Sequence, residues 1–194
     1  GEVRPAAKVG RPAGRTERAV DMNDVTAFVD ELDPHVAFTV ANRGVLPFWL
    51  LLALAPHWSV TRALVHSGAV ALLLTPLYVL GIAKTFSGGG GGGGGDGFSA
   101  FDSLAGVMGL FGMPWACLAG WLHYLVFDLF VGAWQVRDAR RRGVHHLAVV
   151  PCLVCTLMLG PVGLCLYLFV RGALTGTWLA LVEQPRDAPK AKRR

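Results

Sequence analysis

The chain has 194 residues, of which 53% are hydrophobic and only 16% charged, and its formal net charge is +5. Soluble domains carry roughly 25% charged residues, and here the charges concentrate in 1–33, 137–142 and 183–194. With a mean hydropathy of +0.47, this excludes an ordinary soluble enzyme, a disordered chain and a disulfide-stapled secreted module, and describes a small integral membrane protein.

Residues 1–35 form a polar tail, first basic (Arg4, Lys8, Arg11, Arg15, Arg18) and then acidic (Asp21, Asp24, Asp30, Glu31, Asp33). It reads as disordered, and its Arg-rich, Ala-containing start also fits the remnant of an organellar transit peptide. The membrane domain covers 36–174. Apolar runs at 36–55, 60–83, 115–134 and 147–170 each hold about 20–24 residues, enough for a helix to cross about 30 Å of hydrocarbon. In lipid such runs must be helical, because every backbone group needs an internal partner. The fold class is therefore all-α: a polytopic membrane protein built as a four-transmembrane-helix bundle.

Pro56-His57-Trp58-Ser59 reads as a tight turn between the first two helices. The long connection, 84–114, includes eight consecutive glycines, Gly88 to Gly95, a composition that behaves as a flexible coil. Its apolar patch Leu104 to Met113 fits an interfacial helix. A short arginine-rich link (Arg137, Arg140, Arg141, Arg142) joins the third and fourth helices, and 175–194 is a basic tail. An even number of spans puts both ends on one side, with the arginine-rich short loops facing the cytoplasm or stroma.

The cations lie beside apolar segments, where they suit lipid headgroups, and no basic patch interleaved with aromatics marks a nucleic-acid surface. Cys117, Cys152, Cys155 and Cys165 all fall in apolar runs. No second pair completes the Cys152-x-x-Cys155 as a zinc site, and buried thiols act as small hydrophobes. No metal or cofactor is expected.

Ionisable groups inside membrane spans are expensive and usually face the bundle interior. The short list here is Asn42 and Arg43 in the first helix, His66 in the second, His123 and Asp128 in the third. Arg43 and Asp128 make the economical ion pair. Trp121, Asp128 and Gly132 share one helical stripe, and His123 lies about 140° away from it. These residues admit two readings: bundle-holding structure, or a polar pocket framed by kinks at Pro47 and Pro161. Aromatic side chains within the spans, such as Trp49, Trp121 and Phe127, could line a slot for a flat conjugated ligand.

Asn42-Arg43-Gly44-Val45-Leu46-Pro47-Phe48-Trp49, Trp121-Leu122-His123-Tyr124-Leu125-Val126-Phe127-Asp128-Leu129-Phe130, His145-His146 and Gly160-Pro161-Val162-Gly163 resemble the abscisic-acid-deficient-four-like family of plants, algae and many bacteria. The resemblance covers about Val36 to Ala173 and implies small four-helix membrane proteins. Its plant branch is required in plastids for forming neoxanthin from violaxanthin. Where the plant pattern has Arg and His, this chain has Ala133 and Tyr167, closer to the bacterial branch.

The resemblance implies an epoxide-to-allene isomerisation with no net electron transfer. An acid protonates the departing epoxide oxygen and a base removes the adjacent vinylic proton. On that basis His123 is the expected proton donor or shuttle and Asp128 the base or orienting group, with Arg43 and Asn42 stabilising oxyanion charge. Trp49, Trp121, Phe127 and Tyr167 are the expected substrate contacts. The expected partners are membrane lipid and a carotenoid, without nucleic acid, in a homo-oligomer or a pigment-enzyme complex. The competing expectation is a non-catalytic protein that binds carotenoid or lipid, or scaffolds pigment handling. The expected location is a plastid envelope or thylakoid in an alga or plant, or the inner membrane of a bacterium.

Overall fold

A computed structural model describes residues 31–87 and 99–178, and the expected tails and the glycine run lie largely or wholly outside them. Among the described residues the secondary structure is helical: α1 (Pro34–Gly44), α2 (Leu46–Leu54), α3 (Ser59–Thr61), α4 (Ala69–Ser87), α5 (Leu104–Phe111), α6 (Pro114–Arg142), α7 (His146–Leu159) and α8 (Pro161–Thr175). A π-helical turn, Arg62–His66, joins α3 to α4, and a short 3-10 turn, Ser99–Asp102, precedes α5.

Local chemistry sets the helix ends. Asp33 caps α1 by accepting from the His35 amide at 2.8 Å, ahead of Pro34 in the first turn, a position where its missing donor costs nothing. Pro47 in the first turn of α2 has no N–H, so the α1 ladder cannot continue through it and the chain bends at Gly44–Val45. Gly143, at φ +74°, ends α6 in the left-handed conformation that a side chain disfavours.

Three stretches are long and apolar enough to cross a membrane: Pro34–Leu54, Ser59–Ser87 and Pro114–Arg142. The central one is α6, whose Leu118, Leu122, Leu125 and Leu129 are buried, and which packs against α1, α2, α4, α7 and α8. Trp49 lies on Gly132, where an added Cβ would come within 2.8 Å of its ring. The outward surface stays apolar, with Leu54, Leu72 and Leu73 at least 70% exposed. The expected interfacial segment does form a helix, α5, N-capped by Ser103.

The fourth expected span, 147–170, is not one helix. Gly160 takes φ +43°, ψ −94° between α7 and α8. The two helices then fold back on each other, so that Gly163 sits directly on Thr156 and Tyr167 reaches Asp138 near the end of α6. The reason lies in Pro161, which cannot donate to the Leu157 carbonyl four residues earlier. That carbonyl instead accepts from the Tyr124 hydroxyl at 2.7 Å. With 14 and 15 residues, α7 and α8 are each only about 21 Å long. The ends at Pro34 and Thr175 consequently lie at opposite ends of the bundle, against the even-span expectation.

Candidate functional site: two faces of one helix

α6 presents polar side chains on two separate faces. One face carries Trp121, Tyr124, Asp128, Gly132 and Gln135 toward α1, α2 and the α7–α8 hairpin. Trp121 Nε1 donates to Asn42 Oδ1 at 3.0 Å, and the Trp121 and Tyr124 rings lie 5.2 Å apart. Asp128 sits at the hairpin tip, where an added Cβ on Gly160 would come within 2.9 Å of its Oδ1. Among the described residues its buried Oδ2 has no hydrogen-bond partner. Below it, Gln135 Nε2 donates to the buried Thr156 hydroxyl at 2.9 Å.

The opposite face of α6 turns toward α4. There Tyr78, Phe86, Phe111, Ala116, Gly120 and His123 line an open groove of about 360 Å³. A second hollow of about 350 Å³ continues it past Tyr78 and His123 to Thr75, Val126 and Phe127. From Ala116 to Phe127 the groove follows α6 for about 17 Å, at 1.5 Å per residue. Its walls are almost wholly apolar. The Thr85 and Thr75 hydroxyls are spent on the Gly81 and Ala71 carbonyls, each at 2.7 Å.

That leaves the Tyr78 hydroxyl and the His123 imidazole, neither of which is hydrogen-bonded to a described residue. Their rings are 6.3 Å apart, and Phe127 stacks on His123 at 4.4 Å with a 25° interplanar angle. The groove is therefore an apolar trough with two proton-exchanging groups in its wall.

The expected site residues divide between these places. His123 and Phe127 meet in the groove. Asn42, Trp121 and Asp128 lie on the other face, and Trp49 is packed under them against Gly132. Arg43 is exposed on α1, and among the described residues no ion pair joins it to Asp128. Tyr167 is fully buried, with its hydroxyl donated to Asp138 Oδ2 at 2.8 Å. Tyr78 was not among the expected site residues; it lies within a long apolar run where nothing but its hydroxyl sets it apart.

A further cluster closes the bundle at the far end of α6. Asp138 accepts from Arg142 Nε at 2.9 Å and from Arg171 Nη1 at 3.0 Å. Arg171 also donates to the Thr177 and Trp178 carbonyls. The expected third span stops at Trp134, short of this cluster. The Asp138–Arg142 spacing of four residues is the signal that the helix runs on.

Among the described residues the architecture is helical, with three helices long and apolar enough to cross a membrane, a helical hairpin and an apolar groove. The chain belongs to the ABA4-like family, described as ABA DEFICIENT 4-like, whose family model matches residues 36–167. Among curated proteins it is similar to Protein ABA DEFICIENT 4, chloroplastic, from Arabidopsis thaliana, at 25% identity over 129 residues. That alignment covers 66% of this chain and 56% of the relative, so the chain spans little more than half of the relative's length. No solved structure matches the chain.

Proposed function

We propose that the protein is a multi-pass membrane protein that seats an elongated conjugated lipid of the xanthophyll type in the α4–α6 groove and isomerises a carotenoid epoxide to an allene. The observation that carries this reading is the pairing of His123 with Tyr78 in an otherwise apolar trough. Membership of the ABA4-like family, whose plant branch serves neoxanthin formation, supplies the substrate class.

The reaction moves one proton out and one proton in. The His123 imidazole takes the vinylic proton next to the epoxide carbon. The released electron pair forms the new double bond of the allene as the carbon–oxygen bond breaks. The Tyr78 hydroxyl protonates the departing oxygen, which stays on the neighbouring carbon as a tertiary alcohol, and a proton passed from His123 back to Tyr78 resets the pair. Phe127 fixes the imidazole plane and offers a flat surface to the polyene. A relative named chloroplastic is consistent with a plastid membrane in an alga or plant; in a bacterium the counterpart is the inner membrane.

The test is pigment chromatography after expression in a host that accumulates violaxanthin and lacks neoxanthin. The parent chain yields an allenic product, and His123→Ala and Tyr78→Phe each lower its rate by about 100-fold or more, the usual scale of general acid–base catalysis. Product formation untouched by either change would defeat the site assignment. Carotenoid retained on the purified protein with no product would instead establish the non-catalytic binding reading, which the open side of the groove favours.

A further inference from the structure

Two loops far apart in sequence meet at one end of the bundle, and almost everything they bring is cationic. The α2–α3 turn carries His57, the π-helical turn after α3 carries Arg62, and the end of α6 with the start of α7 carries Arg137, Arg140 and His146. The loops are clasped by specific bonds. His146 Nε2 lies 2.9 Å from the Ala53 carbonyl. His66 places Nε2 3.3 Å from the Pro56 carbonyl and Nδ1 3.3 Å from Arg137 Nη1. Since a carbonyl only accepts and a guanidinium only donates, His66 carries its proton on Nε2.

The carboxylate nearest in sequence, Asp138, is buried and already holds Arg142 and Arg171. Arg62 and Arg140 are exposed, and among the described residues neither has an ion-pair partner. The His57 and His146 rings lie 6.5 Å apart across the two loops. Partial desolvation of the exposed His57 ring, with Arg140 and His146 next, holds its pKa below the ordinary 6.5. The opposite end of the bundle carries Asp33 and Asp102 with Lys84. Trp58, 55% exposed beside His57, marks the depth of the site, because tryptophan favours the headgroup layer.

We infer that His57, Arg62, Arg140 and His146 form a binding site for the phosphate of an anionic membrane lipid. This rests on the membrane placement proposed above, but not on the groove or its chemistry. The occupant is a lipid headgroup rather than a free anion, because the site sits beside an interfacial tryptophan and an apolar outer surface that would hold acyl chains. Guanidinium pairs suit phosphate oxygens bidentately, and each cation near an anionic surface raises affinity about fivefold. Basic loops that serve orientation alone would show no such preference once the protein is purified.

The full chain, purified and placed in nanodiscs of phosphatidylcholine alone or with phosphatidylglycerol added, tests this by native mass spectrometry of retained lipid and by thermal melting. The expected result is preferential retention of phosphatidylglycerol with a higher melting midpoint. Arg62→Gln with Arg140→Gln lowers that preference by about 25-fold, two cations' worth, while Arg62→Lys with Arg140→Lys keeps part of it. Inorganic phosphate added to phosphatidylcholine discs leaves the midpoint unchanged. Equal retention of the two lipids, a preference that survives the double Gln change, or a shift produced by inorganic phosphate alone would each overturn the proposal. Should the double Gln chain fail to fold, the comparison of lipids on the parent chain still decides. An inactive groove with intact lipid preference would count only against the proposed isomerisation.

Discussion

Asp138 and Arg171, thirty-three positions apart, meet at 3.0 Å with the guanidinium side chain fully shielded. The pair ties the end of the hairpin back to α6, and Arg171 also gathers the chain after α8 through the Thr177 and Trp178 carbonyls. A buried pair is weak evidence of net stabilisation, but breaking it leaves an uncompensated charge. Asp138→Asn should therefore destabilise the protein by about 3–5 kcal/mol, read from the unfolding midpoint in detergent. Tyr167→Phe removes one donor from the same carboxylate and should cost about 1–3 kcal/mol, with no direct effect on the groove.

The hairpin depends on the absence of a side chain at Gly163, where a Cβ would run into the backbone and hydroxyl of Thr156. Gly163→Val should prevent α7 and α8 from closing. A melting midpoint within a degree or two of the parent would show that the helices do not pack this way.

A fold-back also changes topology. If α7 and α8 return to the side they left, single cysteines placed at Gly143→Cys and Gly176→Cys in a cysteine-free background should react with a membrane-impermeant maleimide from the same side. Ser103→Cys should react from the other. Labelling of positions 143 and 176 from opposite sides would restore a fourth crossing helix.

The first three long apolar helical stretches were legible because each holds a run of about 20 or more apolar residues, a length that in hydrocarbon only a helix satisfies. The hairpin was not, because hydropathy is the same whether an apolar segment crosses or turns back. Its one local signal is Gly160-Pro161, which reads equally as a kink. What makes a turn tenable there is remote: the Tyr124 hydroxyl taking the orphaned Leu157 carbonyl. The site was legible in part. The stripe of Trp121, Asp128 and Gly132 follows from helical spacing. That His123 finds its neighbour in Tyr78 depends on how α4 packs on α6, which spacing along one helix cannot give.

His57 lies outside the membrane-length helices, and its pKa sits below the ordinary 6.5 through partial desolvation first and then the field of Arg140, His146 and Arg62. The unfolded chain therefore takes up a proton at a higher pH than the folded one does. Stability contributed by neutral His57 is present above about pH 6.5 and declines as pH falls through that value toward the lower folded pKa. His57→Gln should flatten the unfolding midpoint between about pH 7 and 5. A His57 ring resonance titrating at or above its ordinary value in neutral-lipid discs would contradict this.

Separation of the two faces of α6 gives opposite expectations for two substitutions twelve residues apart. Ala116→Trp should fill the groove wall and abolish pigment retention by occlusion, while the unfolding midpoint stays close to that of the parent. Asp128→Asn lies on the hairpin face beside Gly160, so it should leave pigment retention intact and act through the packing of the hairpin tip. Binding measured by pigment absorbance on the purified protein, with melting recorded on the same samples, separates them. Loss of pigment from Asp128→Asn at full stability, with retention in Ala116→Trp, would move the binding site from the α4–α6 groove to the hairpin side.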